Sequence, residues 1–250
     1  MSDLAVIVPT RGRPANIHNV LRAWDDTDAW TDAQLVLAID ADDTNYGDYV
    51  KIVEDADHRN VFTVVHPKWM QMVPKLNRTA TMLADQYFAL GFAGDDHLPR
   101  TMHWARRYVE TLRELRHGIV YCDDLYQGPK LPTQWAMTSS IVNALGRMVP
   151  APVDHLYCDN AVLDLGKRTN CIRYLSDVVI EHMHYVVGKA QKDSTYARVN
   201  SNQQYQVDGR AYRRWAGSRD GLALDVRRVQ RLRGGTSGYT SRVRVHKPTT

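Results

Sequence analysis

Two adjacent acids and a histidine, Asp95, Asp96 and His97, stand in the run Phe92-Ala93-Gly94-Asp95-Asp96-His97-Leu98-Pro99-Arg100. The run directly follows an apolar stretch, Tyr87 to Gly91, that reads as a buried strand. Neighbouring carboxylates repel, and a divalent cation is the usual means of keeping both ionised. Such a cation in turn attracts an anionic ligand, most simply a diphosphate. In open α/β sheets ligands bind outside the carboxyl ends of the strands, which is where this run falls. A second role fits the same residues. Pro99 starts a periodic helix, and Asp is favoured at helix N-termini, so on the motif alone metal binding and capping stand level.

Other residues able to do chemistry fall at further strand ends and helix starts. Pro9-Thr10-Arg11-Gly12-Arg13 follows a first apolar run, Leu4 to Val8, and Asp40-Ala41-Asp42-Asp43 follows a second, Gln34 to Ile39. Lys75 and Asn77 sit in the first turn of a helix whose apolar stripe is Val73, Leu76, Ala80 and Leu83. Asp159 opens another helix in Tyr157-Cys158-Asp159-Asn160, where an acid serves as an N-cap. Glu181-His182-Met183-His184 ends a predicted strand, so its two histidines share one face.

The elements that must hold these residues alternate. Strand, helix, strand, helix, strand over residues 4–65 is the signature of a parallel sheet with crossover helices. A helix through Val73 to Leu83, the strand before Asp95, a helix from Pro99 to Leu115 and a strand over residues 117–121 continue it. Beyond residue 125 the alternation breaks down into a loop rich in Gly and Pro, a helix from Thr138 to Gly146, a helix after Asn160 and a strand from Arg173 to His184. From Asp193 the chain reads as helical and polar, and Gly234 to Gly238 mark the start of a flexible end.

Composition bounds the class. The chain has 250 residues, 44% of them hydrophobic and 24% charged, as in an ordinary globular protein with ample length for a core. No 18-residue apolar run and no basic leader pattern occurs, which points to a cytoplasmic protein with no membrane partner. Cys122, Cys158 and Cys171 have scattered spacing and no CxxC, so buried free thiols are expected rather than disulfides or a zinc knuckle. The net charge of +4 hides an asymmetry, because Arg210 to Lys247 holds eleven Lys or Arg against Asp220 and Asp225. Such a block is a solvated tail or a footprint for a polyanion such as nucleic acid.

A strand into Val8-Pro9-Thr10-Arg11-Gly12-Arg13, a strand into Ile39-Asp40-Ala41-Asp42, and a helix opening Lys75-Leu76-Asn77 before Gly94-Asp95-Asp96-His97 occur in that order. This combination resembles the GT-A fold glycosyltransferases of the family 2 type, and within them compact phage-encoded enzymes. Neither a Walker A motif nor GxGxxG occurs. The resemblance implies an α/β, Rossmann-like, mostly parallel mixed sheet flanked by helices, with a basic helical C-terminal extension. Residues 1–124 would be the nucleotide-sugar-binding half, 125–195 the acceptor-binding and catalytic half of the same domain, and 196–250 the extension and tail.

It further implies transfer of a sugar from a nucleotide-diphosphate sugar, UDP-sugar favoured, to an acceptor hydroxyl with a divalent metal, Mn²⁺ or Mg²⁺. Pro9, Thr10, Arg11 and Arg13 would line the nucleoside pocket, with Asp40 or Asp42 on the base and Asn77 nearby. Arg11 and Arg13 also read as a plain exposed turn. Asp95-Asp96 looks like the DXD element, with Asp95 reaching ribose; Asp96 or His97 would hold the metal, Asp96 favoured, with His184 completing the shell. Lys75, Lys189 and Arg11 are candidates for diphosphate contact. Asp159 would be the base of an inverting reaction, with Asp154 and His155 as alternatives.

Trp135, Met137 and Tyr157 would stack on the acceptor or pack the core. A hydroxymethylated pyrimidine in DNA is one acceptor; a protein or glycan is another. A metal-dependent nucleotidyltransferase would want a glycine-rich turn with Lys after the first strand, of which Thr10 to Pro14 supplies little. A non-catalytic nucleic-acid binder would leave the acids at three strand ends unexplained.

Overall fold

Alternate residues of β1 (Leu4–Pro9) are buried on opposite faces, which is what a strand covered by helices on both sides requires. In the computed structural model, which describes residues 2–56, 60–189 and 200–245, Ala5 and Ile7 join one core cluster and Leu4, Val6 and Val8 the other. The second cluster is closed by α1 (Pro14–Asp25), α2 (Tyr46–Asp55) and α4 (Trp104–Leu115). The first takes α3 (Met72–Leu83), α5 (Ser139–Leu145) and α6 (Cys158–Thr169).

Between these layers lies one eight-stranded mixed sheet. It is built from β1, β2 (Ala33–Asp40), β3 (Val61–His66), β4 (Ala89–Phe92), β5 (His97–Pro99), β6 (Ile119–Asp123), β7 (Trp135–Thr138) and β8 (Ile172–His182). The order is β3-β2-β1-β4-β7-β6-β8-β5. The first four strands are parallel to one another, β7 runs antiparallel to β4 and β6, and β5 pairs antiparallel with β8. The expected α/β class with a mostly parallel mixed sheet is therefore what the chain adopts.

Three expectations need correction. Pro99 ends β5 instead of opening a helix; α4 begins at Trp104 behind His103, whose φ is 54°. Asp95 and Asp96 therefore cap nothing. Trp135 and Met137 belong to β7, at 1% and 0% exposure, so of the two readings, stacking and packing, stacking falls and packing the sheet stands. The periodicity of a four-residue strand was too short to read beside its Pro-rich neighbours. Gly234 and Gly235 do not end the helical region, because α8 (Leu222–Val245) continues through them.

After α7 (Asn202–Gly217), α8 lies against α5 and α6, and Trp215, Leu222 and Val229 enter the core. Buried Asp225 ties this end down, accepting hydrogen bonds from Arg147 at 2.7 Å and from the Trp215 indole at 2.8 Å. The helical reading of residues 193–199, the expected boundary at residue 195, and Lys247 lie outside the described residues. Cys122, Cys158 and Cys171 are buried free thiols. Among the described residues no helix is long and apolar enough to cross a membrane.

Candidate active site

The carboxyl ends of β1 and β4 open onto a cavity of about 470 Å³. Pro9, Thr10, Arg11, Arg13, Lys75, Asp95, Asp96 and His97 line one side of it, and Asp159, His182 and His184 the other. The first side is an ionic lattice. Lys75 donates to Asp40 at 2.6 Å, and Arg11 bridges Asp40 at 3.1 Å and Asp42 at 2.7 Å. Asp40 is fully buried behind the lining, with its Oδ1 unpartnered, and burial holds the Lys75 ammonium below its usual range despite Asp40. Asp42 also accepts the backbone N–H of Trp69, which pins the 69–72 segment to the cavity wall.

Asn77 is a correction. Its Oδ1 accepts the N–H groups of Met148 and Val149 at 3.0 and 2.7 Å, and it does not line the cavity. The first-turn position suggested a ligand contact, but a helix turn has two sides and this residue faces the loop. Lys189 likewise pairs with Glu181 at 2.7 Å and stands outside the lining.

The two acids of the opening motif part company. Asp95 accepts from Thr10 at 2.8 Å and from Arg13 and Asn16 at 3.2 Å, so it locks the turn after β1. Burial, then the neighbouring Asp96 charge, raises its pKa. Asp96 faces the histidines, 3.1 Å from His97 Nδ1 and 3.5 Å from His182 Nε2. Burial would raise this carboxyl too, yet hydrogen bonds with His182 and His97 hold it well below the usual range. Gly94 makes room for the pair, since a Cβ there would lie 2.5 Å from Asp96 Oδ1 and 2.8 Å from His97 Nδ1.

Ligand atoms of Asp96, His97 and His182 lie within 4.8 Å of one another, a spacing one cation can bridge. Burial, then the His97 charge, keeps the His182 pKa low, which favours the neutral, metal-ligating imidazole. His182, and not the expected His184, joins the group because it is the direct cross-strand partner of His97 in the β5–β8 ladder. The two rings stack with centroids 4.0 Å apart. His184 lies past the ladder, stacked on Tyr126 at 5.4 Å with its Nδ1 accepting from Val186 N–H.

Asp159, in the first turn of α6, completes the far side. Burial pushes its carboxyl up to about 6, against the hydrogen bond from Asn160 N–H at 2.8 Å and the pull of His182. Of the alternatives, His155 lines the cavity and Asp154 does not. Tyr126, Tyr157, Tyr185 and Tyr205 line the cavity with Asp159 as an aromatic wall, of which only Tyr157 is a candidate from the sequence.

A mixed sheet of this order flanked by helices matches the GT-A, Rossmann-like fold of solved glycosyltransferase structures. The mannosyltransferase PcManGT from Pyrobaculum calidifontis, solved with GDP-Man and Mn²⁺, is similar with a TM-score of 0.61 at 14% identity, covering 94% of this chain and 75% of that one. S. aureus TarS 1–349 is similar with a TM-score of 0.54 at 14% identity, covering 88% of this chain and 73% of that one. The same piece of TarS has been solved with UDP-GlcNAc, with a TM-score of 0.54. No protein-family model and no curated protein matches the chain. At such identities the likeness carries the fold, and the site has to speak for the chemistry.

Proposed function

We propose that this protein is a metal-dependent, inverting glycosyltransferase that takes a nucleotide-diphosphate sugar, a UDP-sugar by preference, and passes the sugar to an acceptor hydroxyl. The observation that carries the reading is the meeting of Asp96, His97 and His182 in one cavity with an isolated carboxyl, Asp159, whose pKa stands near neutrality at about 6. Asp96, His97 and His182 would hold a divalent cation, whose charge offsets that developing on the leaving diphosphate. One carboxylate with two imidazoles is a softer set than an all-oxygen site and suits Mn²⁺ better than Mg²⁺.

Arg11, Arg13 and Lys75, each paired with an acid, offer hydrogen-bond donors beside that position, and Pro9 and Thr10 shape the wall for the nucleoside. Asp159, ionised, accepts the acceptor's hydroxyl proton as its oxygen bonds to the anomeric carbon and the carbon–oxygen bond to the diphosphate breaks. One displacement inverts the anomeric centre. Likeness to structures solved with UDP-GlcNAc and with GDP-Man and Mn²⁺ supports the donor class and the metal.

Incubation with Mn²⁺ and UDP-glucose, UDP-GlcNAc or GDP-mannose should release free nucleoside diphosphate slowly, water standing in for the acceptor, and a chelator should stop it. Absence of both release and metal-dependent nucleotide binding refutes the reading, and release of pyrophosphate would favour a nucleotidyltransferase. For the acceptor, a hydroxymethylated pyrimidine in DNA has one supporting observation: Arg210, Arg213, Arg214, Arg219, Arg227 and Arg231 of the C-terminal helices and their connection are all exposed.

A further inference from the structure

Asp208 of α7 is 1% exposed, and nothing in the proposed chemistry uses it. Its carboxylate is nevertheless the hub of the far wall. Oδ1 accepts the N–H of Asp154 at 2.8 Å, and Oδ2 accepts those of His155 at 3.1 Å and Leu156 at 2.8 Å. Three successive amides converging on one carboxylate form a concavity that favours an anion, and here a side chain from 52 to 54 residues further on fills it. Gln204, one turn earlier on α7, donates to the same carboxylate at 2.9 Å.

The clamp continues along the helix. Tyr212, one turn beyond Asp208, stacks on Tyr157 with ring centroids 5.3 Å apart and an interplanar angle of 17°. The Tyr212 hydroxyl donates to Asp164 of α6 at 2.6 Å. Gly209 lies so close that a Cβ would meet the Tyr157 hydroxyl at 3.3 Å. Tyr157 itself has φ 63°, a conformation that costs energy for a residue with a side chain and persists only where its surroundings impose it. Two residues later comes Asp159. On its other side the segment is tied to the donor half, because the Asp154 carbonyl accepts the N–H of Val73 in the first turn of α3, the helix of Lys75.

We propose that Asp208 is a positioning residue for sugar transfer. It fixes the 154–157 segment, and with it the placement of Asp159 and of the wall made by His155, Leu156 and Tyr157, so that α7 is a working part of the site. The inference rests on the glycosyltransferase reading above. Its prediction is a split: Asp208 binds the amides of 154–156 and Gln204 and none of the residues proposed to hold donor and metal, so it should govern turnover and leave donor affinity alone.

The test uses the full chain, Mn²⁺ and UDP-glucose, or whichever of the three donors is hydrolysed fastest. Asp208→Ala removes all four acceptor contacts, and Asp208→Asn keeps one acceptor oxygen should the alanine variant fail to fold. We expect kcat for donor hydrolysis to fall by about 10–100-fold in Asp208→Ala and less in Asp208→Asn, while KM and UDP affinity stay within about twofold. Amide hydrogen exchange at 154–156 should quicken by about tenfold or more, with exchange in β1 and β2 unchanged. An Asn77→Ala chain, destabilised at the 148–149 loop, serves as the reference and should keep kcat.

Unchanged exchange at 154–156, or a loss of kcat matched by the Asn77→Ala chain, overturns the positioning role. Failure of the underlying reading looks different, since the unaltered protein would then bind no UDP with Mn²⁺ and hydrolyse no donor.

Discussion

Replacing Asp159 by Asn should make this protein more stable at neutral pH and abolish its turnover, because the same desolvation that equips the carboxyl as a base is a cost to the fold. In an unfolded chain the group ionises near 3.8, and in the folded protein burial moves it to about 6. Below 3.8 both states are protonated and nothing is lost. As pH rises from 3.8 towards 6 the unfolded chain gives up its proton and the folded one does not, so stability falls, and above about 6 the penalty is constant. The distance between the two values corresponds to about 3 kcal/mol, and the carboxyl's position on the wall of an open cavity reduces this to about 1–2 kcal/mol. Asn keeps the acceptor oxygen for Asn160 N–H and carries no charge, so it removes that penalty. Urea unfolding of both proteins across pH 4.5 to 8 should show an advantage for Asp159→Asn that grows to a plateau above pH 7. In parallel, kcat of the unaltered protein at saturating Mn²⁺ should rise through about pH 6. Asp159→Asn should lose about 10²–10⁴-fold of it with UDP binding intact. Retained turnover, or a stability difference that does not vary with pH, would refute the assignment.

His182→Ala should weaken Mn²⁺-dependent UDP binding by at least about 10–100-fold, whereas His184→Ala should leave it nearly unchanged; titration calorimetry of both decides which histidine holds the cation. Asn77→Ala should cost about 1–3 kcal/mol in urea unfolding by orphaning two loop amides, with UDP affinity unaltered. Should DNA be the acceptor, affinity for a duplex carrying hydroxymethylated pyrimidines should fall by at least about 10³-fold between 50 and 200 mM salt, read by fluorescence anisotropy, and a flat response excludes it.

Most of the donor half could be read from the chain. Residues in β1, β2 and β4 are buried on both faces, so their apolar runs announce strands without needing register, and the charged residues that follow each run fall at the carboxyl edge by topology alone. What could not be read is what depends on pairing. His182 and His184 alternate identically in sequence, and only the register that sets His182 opposite His97 separates them. β7 was hidden because four residues inserted antiparallel carry no periodic signal, and Asp208 because its partners are backbone amides, which look alike at every position.

On the proposed reading, the charge balance on the β1 side of the cavity favours a cation entering with the diphosphate. Arg11, Arg13 and Lys75 are the cations near the turn after β1, and each is already paired within the lattice. Facing them are Asp40, Asp42, Asp43, Asp95 and Asp96, and Asp43 is held at the Gly12 N–H at 2.9 Å. Even with Asp95 carrying a raised pKa, acids balance or outnumber bases before any donor arrives. A bare diphosphate entering there would meet no surplus of positive charge and would have to break buried ion pairs to gain one, at a cost of several kcal/mol. Asp96 is the acid that escapes this lattice, and it does so on the side where β5 and β8 bring the imidazoles of His97 and His182 together. On that reading the sheet's antiparallel edge turns a surplus carboxylate into a cation site through which an acidic pocket can receive an anion.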